Sequence, residues 1–129
     1  MRDFIRVGYV ALVLSLSLAG PVAAGPFNDG VAAYKRGDYA TALRLWRPLA
    51  DQGDADAQAN LGSMYDNGEG VPRDYMSAHK CFNLAAAHFP ASETEGREKA
   101  VINRDRVAGK MNAAQVVEAQ RLAREWKPK

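Results

Sequence analysis

The sequence is poor in the features that usually announce a mechanism. Cys81 is the single cysteine in 129 residues, so no internal disulfide can hold the chain and a hydrophobic core must do so. No stretch alternates apolar and polar residues for long enough to compete as a strand. Beyond the first two dozen residues there is no long apolar run of the kind a bilayer span requires. Neither sign of charge dominates: with Arg2, Arg6 and Asp3 set aside, fifteen basic residues face fourteen acids. That balance argues against a general nucleic-acid binder, which displays a basic surface. The phosphate-loop spacing GxxxxGKS/T, GxSxG, HExxH and the dinucleotide glycine motif are all missing. No catalytic residue, metal ligand or cofactor is expected.

The N-terminus differs from the rest. Arg2 and Arg6 precede an uncharged run, Val7 to Ala19, and Gly20-Pro21 breaks it. Val22-Ala23-Ala24 then supplies small side chains where a signal peptidase reads. Residues 1–24 are therefore expected to be a secretory signal cleaved near Ala24, the chain's one engagement with a membrane. The mature protein would be periplasmic or secreted.

The remainder is organised by repetition. Asp38-Tyr39-Ala40-Thr41-Ala42 returns thirty-six residues later as Asp74-Tyr75-Met76-Ser77-Ala78. At the same offset Trp46 corresponds to Phe82, Leu49 to Ala85 and Ala50 to Ala86. Ala, aromatic and closing pair stand at i, i+4, i+7 and i+8, one face of a helix. Asp38 and Asp74 sit where an N-cap carboxylate accepts from the first turn. Tyr34 and Gly37 recur as Tyr65 and Gly68 at the shorter offset of thirty-one, so the difference falls in the link between paired helices. Gly37 alone makes that link in the first unit, and Gly68-Glu69-Gly70-Val71-Pro72-Arg73 makes it in the second. The glycine-rich YDNGEGVPRD stretch thus reads as a lengthened helix–helix turn, Gly68 ending one helix and Pro72 barring its continuation. It fails as a calcium loop, since glycine stands where the second oxygen ligand belongs.

Ala57, Leu61-Gly62, Tyr65, Gly68, Gly70-Val71, Asp74, Ala78, Phe82 and Ala85-Ala86 together resemble a Sel-one-like repeat, over residues 55–88. Phe82 stands where that family often has tryptophan. Residues 27–53 resemble a shortened, tetratricopeptide-like unit. The resemblance implies an all-α fold, a short α-α superhelix built as a solenoid of antiparallel helix hairpins, over residues 25–129. Residues 91–129 lack the signature. They still carry stripes at helical spacing, Ala100, Val101, Val107, Ala108 and Met111, then Val116, Ala119, Ala123 and Trp126. Gly109 marks a helix end, and Asn112 with Gln115 can open the next helix as cap and box. This segment reads as a divergent capping pair, giving about six helices in all.

Other reactive-looking side chains have plainer readings. Cys81 follows core Ala78 by three residues and reads as a small buried hydrophobe. His79 and His88 read as solvated or capping groups. Glu93, Glu95 and Glu98 suit the positive end of a helix beginning near Ser92.

In the related folds the first helices of successive hairpins line the binding surface. Carried over by position, the outward residues are Asn28, Ala32, Lys35 and Arg36 on the first unit, and Asp56, Ala59, Ser63 and Asp66 on the second, with Asn67 near the rim. The resemblance thus implies an exported, non-enzymatic module, periplasmic in a Gram-negative source. It would grip a peptide or protein segment in a groove basic on one unit and acidic on the next. A small exported hydrolase or enzyme inhibitor using acids of the Asp51–Asp74 region is an alternative, and a peptidoglycan-associated structural part is another.

Overall fold

The computed structural model describes residues 25–129; the expected signal segment, residues 1–24, lies outside them. Among the described residues there are six helices and no strand: α1 (Pro26–Lys35), α2 (Tyr39–Asp51), α3 (Ala55–Asn67), α4 (Tyr75–His88), α5 (Thr94–Ala108) and α6 (Ala113–Glu125). The all-α expectation holds. No helix among these residues is long and apolar enough to cross a membrane.

Short-range chemistry sets most of the boundaries. Asp38, Asp54 and Asp74 each accept a backbone N–H three residues on, from Thr41 at 3.2 Å, Ala57 at 2.8 Å and Ser77 at 3.1 Å. Each satisfies a donor that the first turn of a helix otherwise leaves free. Asn112 and Gln115 form the reciprocal capping box that opens α6. Helix α5 starts after Glu93, one residue later than Ser92 suggested and without a side-chain cap. Gly68 ends α3 with φ 68°, a left-handed conformation that glycine adopts without a Cβ penalty.

Packing then follows the repeat. The α1–α2 hairpin packs on α3 through α2, and α3 packs on α4. Helices α5 and α6 both lie against α4 and make few contacts with each other, so α4 holds the C-terminal pair together. Trp46 and Phe82, matched by the repeat, are both buried, as are Ala42 and Ala78. Of the two C-terminal stripes, Ala100, Val107 and Ala119 are fully buried and the remainder are partly so.

One contact recurs at all three levels of the stack. A Cβ added to Gly30 would meet the Trp46 indole, one on Gly62 would lie 2.9 Å from the Phe82 ring, and one on Gly96 would lie 2.7 Å from the Phe89 ring. Each ring rests directly on the backbone of the facing helix. The Trp46 indole N–H also donates to the Phe27 carbonyl at 3.1 Å, so its ring is fixed in plane as well as in depth.

The YDNGEGVPRD loop is seated on the preceding hairpin. Gly70 packs against Tyr39 and Leu43 of α2, and the Tyr34 hydroxyl donates to Glu69 Oε2 at 2.7 Å. Burial, reinforced by the Glu69 carboxylate, pushes the Tyr34 phenol up to about 12, so it remains a donor throughout the ordinary pH range. The lengthened turn is a clamp between one repeat and the next.

Gly62→Ala is expected to destabilise the protein by about 1–3 kcal/mol, because the fully buried Phe82 ring has nowhere to retreat. The urea midpoint measures it. A midpoint equal to wild type would reject the ring-on-backbone packing.

Candidate functional site

Two depressions lie beside the first helices. Between α3 and α5 lies a depression of about 690 Å³, with Asp56, Ala59 and Ser63 on one wall and Glu93, Lys99 and Asn103 on the other. Phe89 and Ala100 contribute to its floor. A second depression of about 300 Å³ lies between α1 and α3, lined by Val31, Tyr34, Lys35 and the edge of Trp46. Asn60 and Ser63 of α3 line both, so the two depressions flank the same stretch of α3.

Of the nine residues expected to face outward, Lys35, Asp56, Ala59 and Ser63 line the depressions. Asn28, Arg36 and Asn67 are exposed but line neither depression. Arg36 lies 3.7 Å from Asp38 as an exposed ion pair, and Asn67 donates to Glu69. Ala59 lines the α3–α5 half and Ala32 is exposed outside the lining.

Asp66 corrects the expectation. It is 4 % exposed and points into the stack, accepting from Arg106 Nη2 at 2.7 Å and Lys110 Nζ at 2.9 Å. Burial acting alone would raise its pKa. The hydrogen bonds from Lys110 and Arg106 outweigh that effect and hold the carboxyl below its usual value. Its position seventeen residues after Leu49, on the same helix as the groove residues Asp56 and Ser63, gave no local sign of partners that stand forty residues downstream.

The groove carboxylates behave otherwise. Among the described residues neither Asp56 nor Glu93 makes an ion pair, whereas Glu95 is held by Lys99 at 2.7 Å. Partial burial, then the charges of Asp54 and Glu93, raises the Asp56 pKa from its usual value. Asn60, Glu93, Asn103, Val31 and Tyr34 were not foreseen as lining. Glu93 and Tyr34 drew attention only for helix-end and packing roles.

The remaining reactive side chains are absorbed by the fold. Cys81 packs against the first core cluster, and burial pushes its thiol up to about 12, far from a thiolate nucleophile. His79 was read as solvated or capping, but it is 2 % exposed, with Nδ1 unpartnered. Burial, with Arg104 nearby, lowers its pKa, so the ring is neutral. The signal was present: His79 stands at the repeat position of buried Leu43. His88 ends α4 but is partly buried, its Nδ1 2.8 Å from Gln58 Oε1 and its ring against Trp126. Gln58 in turn donates to the Ala50 carbonyl at 3.0 Å, which fixes its amide so that its oxygen faces the histidine.

Comparison with known proteins agrees with the repeat architecture. Residues 27–54 and 55–88 each match the Sel1 repeat family. The chain is a Sel1-repeat protein. The first unit, expected as a shortened tetratricopeptide-like hairpin, is thus itself a Sel1 repeat with its turn trimmed to Gly37. Sel1 repeats typically serve as protein-interaction scaffolds and not as enzymes. A relative from Rhizobium leguminosarum bv. viciae, named as an exopolysaccharide production negative regulator, is 30% identical over 103 residues, covering 67% of this chain. The aligned part amounts to 39% of that relative, so the Sel1-repeat protein spans well under half of its length. No solved structure matches significantly.

In this Sel1-repeat protein the Asp66 cluster closes the stack, and its removal is measurable. Asp66→Asn is expected to cost about 2 kcal/mol at neutral pH, discounted because Arg106 and Lys110 are partly exposed. A depressed carboxyl contributes stability that is complete above its unfolded pKa and lost as pH falls through its folded value. Urea unfolding should therefore show wild type losing its advantage over Asp66→Asn only in strong acid. Equal stability of the two proteins at neutral pH would contradict the assignment.

Proposed function

We propose that the chain is an exported, non-enzymatic interaction module that binds a peptide or protein segment along the groove between α1, α3 and α5. The observation that carries this reading is that two depressions, set beside three successive first helices, share Asn60 and Ser63 as lining. A groove of that form offers an extended surface and no enclosed chamber for chemistry. The disposition of the reactive side chains supports binding over catalysis: Cys81 is a protonated core thiol, Asp66 is committed to two cations, and Glu69 is committed to Tyr34 and Asn67.

Export rests on the signal-like organisation of residues 1–24 and places the module in the periplasm or outside the cell. The similarity to a protein named as a negative regulator of exopolysaccharide production supports a regulatory setting, in which occupancy of a partner carries the effect. A module with this few repeats gains contact area by acting within a larger assembly, since stable interfaces bury roughly 800 Å² per partner.

Three outcomes are expected. Mass spectrometry of the protein recovered from the cell envelope or medium should find Gly25 at the mature N-terminus. Ser63→Trp, which fills the junction of the two depressions, should weaken a partner captured with the mature chain by about tenfold or more. Lys35→Glu combined with Arg36→Glu should alter its salt dependence. Titration of the purified partner, with helicity checked by circular dichroism, reads both. An affinity indifferent to Ser63→Trp would reject the groove.

A further inference from the structure

We infer that the two halves of the groove take chemically different anchors of one bound protein segment: a lysine or arginine side chain between α3 and α5, and an apolar side chain between α1 and α3. This rests on the groove reading given above and adds the chemistry of the partner to it.

The α3–α5 half faces its ligand with Asp56 and Glu93 on opposite walls, both without an internal cation among the described residues. Lys99 also lines this half, but Glu95 holds its ammonium at 2.7 Å. The available field between the walls is therefore negative, and it repels a ligand carboxylate or phosphate. The floor beneath is not polar, since Phe89 and Ala100 lie there and Ala59 adds an apolar stretch of wall. A lysine or arginine is the side chain that satisfies both demands, since its methylene stem covers apolar surface while its charged head reaches the carboxylates. Arginine adds two-pronged hydrogen bonding to a carboxylate.

The α1–α3 half is built differently. Val31, Tyr34 and Trp46 line it, and its one charged lining residue, Lys35, is exposed. Nothing there compensates a cation, and the apolar lining suits a leucine-like or aromatic side chain. Asn60 and Ser63 lie between the two halves and present amide and hydroxyl groups to the backbone of an extended segment. The unequal halves impose a polarity on the ligand, with the basic residue toward α5 and the apolar residue toward α1.

The probe is a set of short acetylated, fluorescein-labelled peptides in a glycine–serine background. Each carries one arginine or lysine and one leucine separated by about two to five residues, in both orders. Matched sets carry glutamine or glutamate in place of the basic residue. Fluorescence anisotropy against the mature chain should show members of the basic set binding in one preferred order. The combined variant Asp56→Asn with Glu93→Gln should weaken them about tenfold, and the glutamate set should bind least. Both substituted side chains are on exposed residues, and circular dichroism confirms that the variant is folded. A basic set that binds no tighter than its glutamine and glutamate counterparts, or that is unaffected by the double variant, overturns the inference. If peptides bind irrespective of charge and Ser63→Trp abolishes binding, the groove stands and the anchor assignment falls. If no peptide binds, both fall.

Discussion

Everything in this molecule hangs on aromatic rings laid directly onto helix backbone. Trp46, Phe82 and Phe89 come from the second helix of a hairpin or the residue just beyond it, and each rests where a facing helix carries Gly30, Gly62 or Gly96. With no Cβ in the way, the ring approaches closely and the dispersion contacts that make a packed core are gained without a void. Alanines at 42, 57, 78, 85 and 100 serve the same end, since small side chains let the helices draw together around the rings. A single hairpin could not shelter such a face. Stacking hides it, and stacking leaves the outer sides of α1, α3 and α5 free to form a groove.

The stack is then locked by two polar devices that lie on different levels. The Glu69 carboxylate in the lengthened turn accepts from Tyr34, binding the second repeat to the first. The Asp66 carboxylate, buried in the last turn of α3 just before that loop, accepts from Arg106 and Lys110 and binds the second repeat to α5 and the turn after it. Lys110 also lies 5.1 Å from the centre of the Tyr75 ring, so one ammonium serves two elements. The uneven charge along the sequence, acidic over residues 51–74 and basic after residue 93, thus has in part an internal use. A buried carboxylate with two hydrogen-bonded cations is costly to break and tolerates little change of register.

How much of this could be read in the chain depends on whether the cause was local or distant. The six helices, their aspartate caps, the asparagine box at residue 112 and the left-handed Gly68 were legible because each is decided within a few residues. Trp46 and Phe82 were legible because repetition doubled the signal. Asp66 was misplaced because its helical position faces outward by repeat logic, and only the docking of α5 supplies the two cations that draw it in. His79 was misread from its chemistry although the repeat aligned it with buried Leu43. The groove was half legible: Lys35, Asp56 and Ser63 follow from the first-helix rule, whereas Glu93 and Asn103 enter from α5, whose place beside α3 no motif announces.

The contrast between Asp66 and Asp56 bears on what the groove is for. Both lie on α3, ten residues apart, yet Asp66 is paired with two cations and Asp56 with none among the described residues. Burial, then the neighbouring charges of Asp54 and Glu93, raises the Asp56 pKa from its usual value, whereas the hydrogen bonds from Lys110 and Arg106 lower that of Asp66. Uncompensated charge facing a groove is the pattern expected where stability is conceded to a binding surface. A cation brought by a partner would complete at Asp56 and Glu93 what Arg106 and Lys110 already complete at Asp66, and the same chemistry that closes the stack on itself would then join it to another chain.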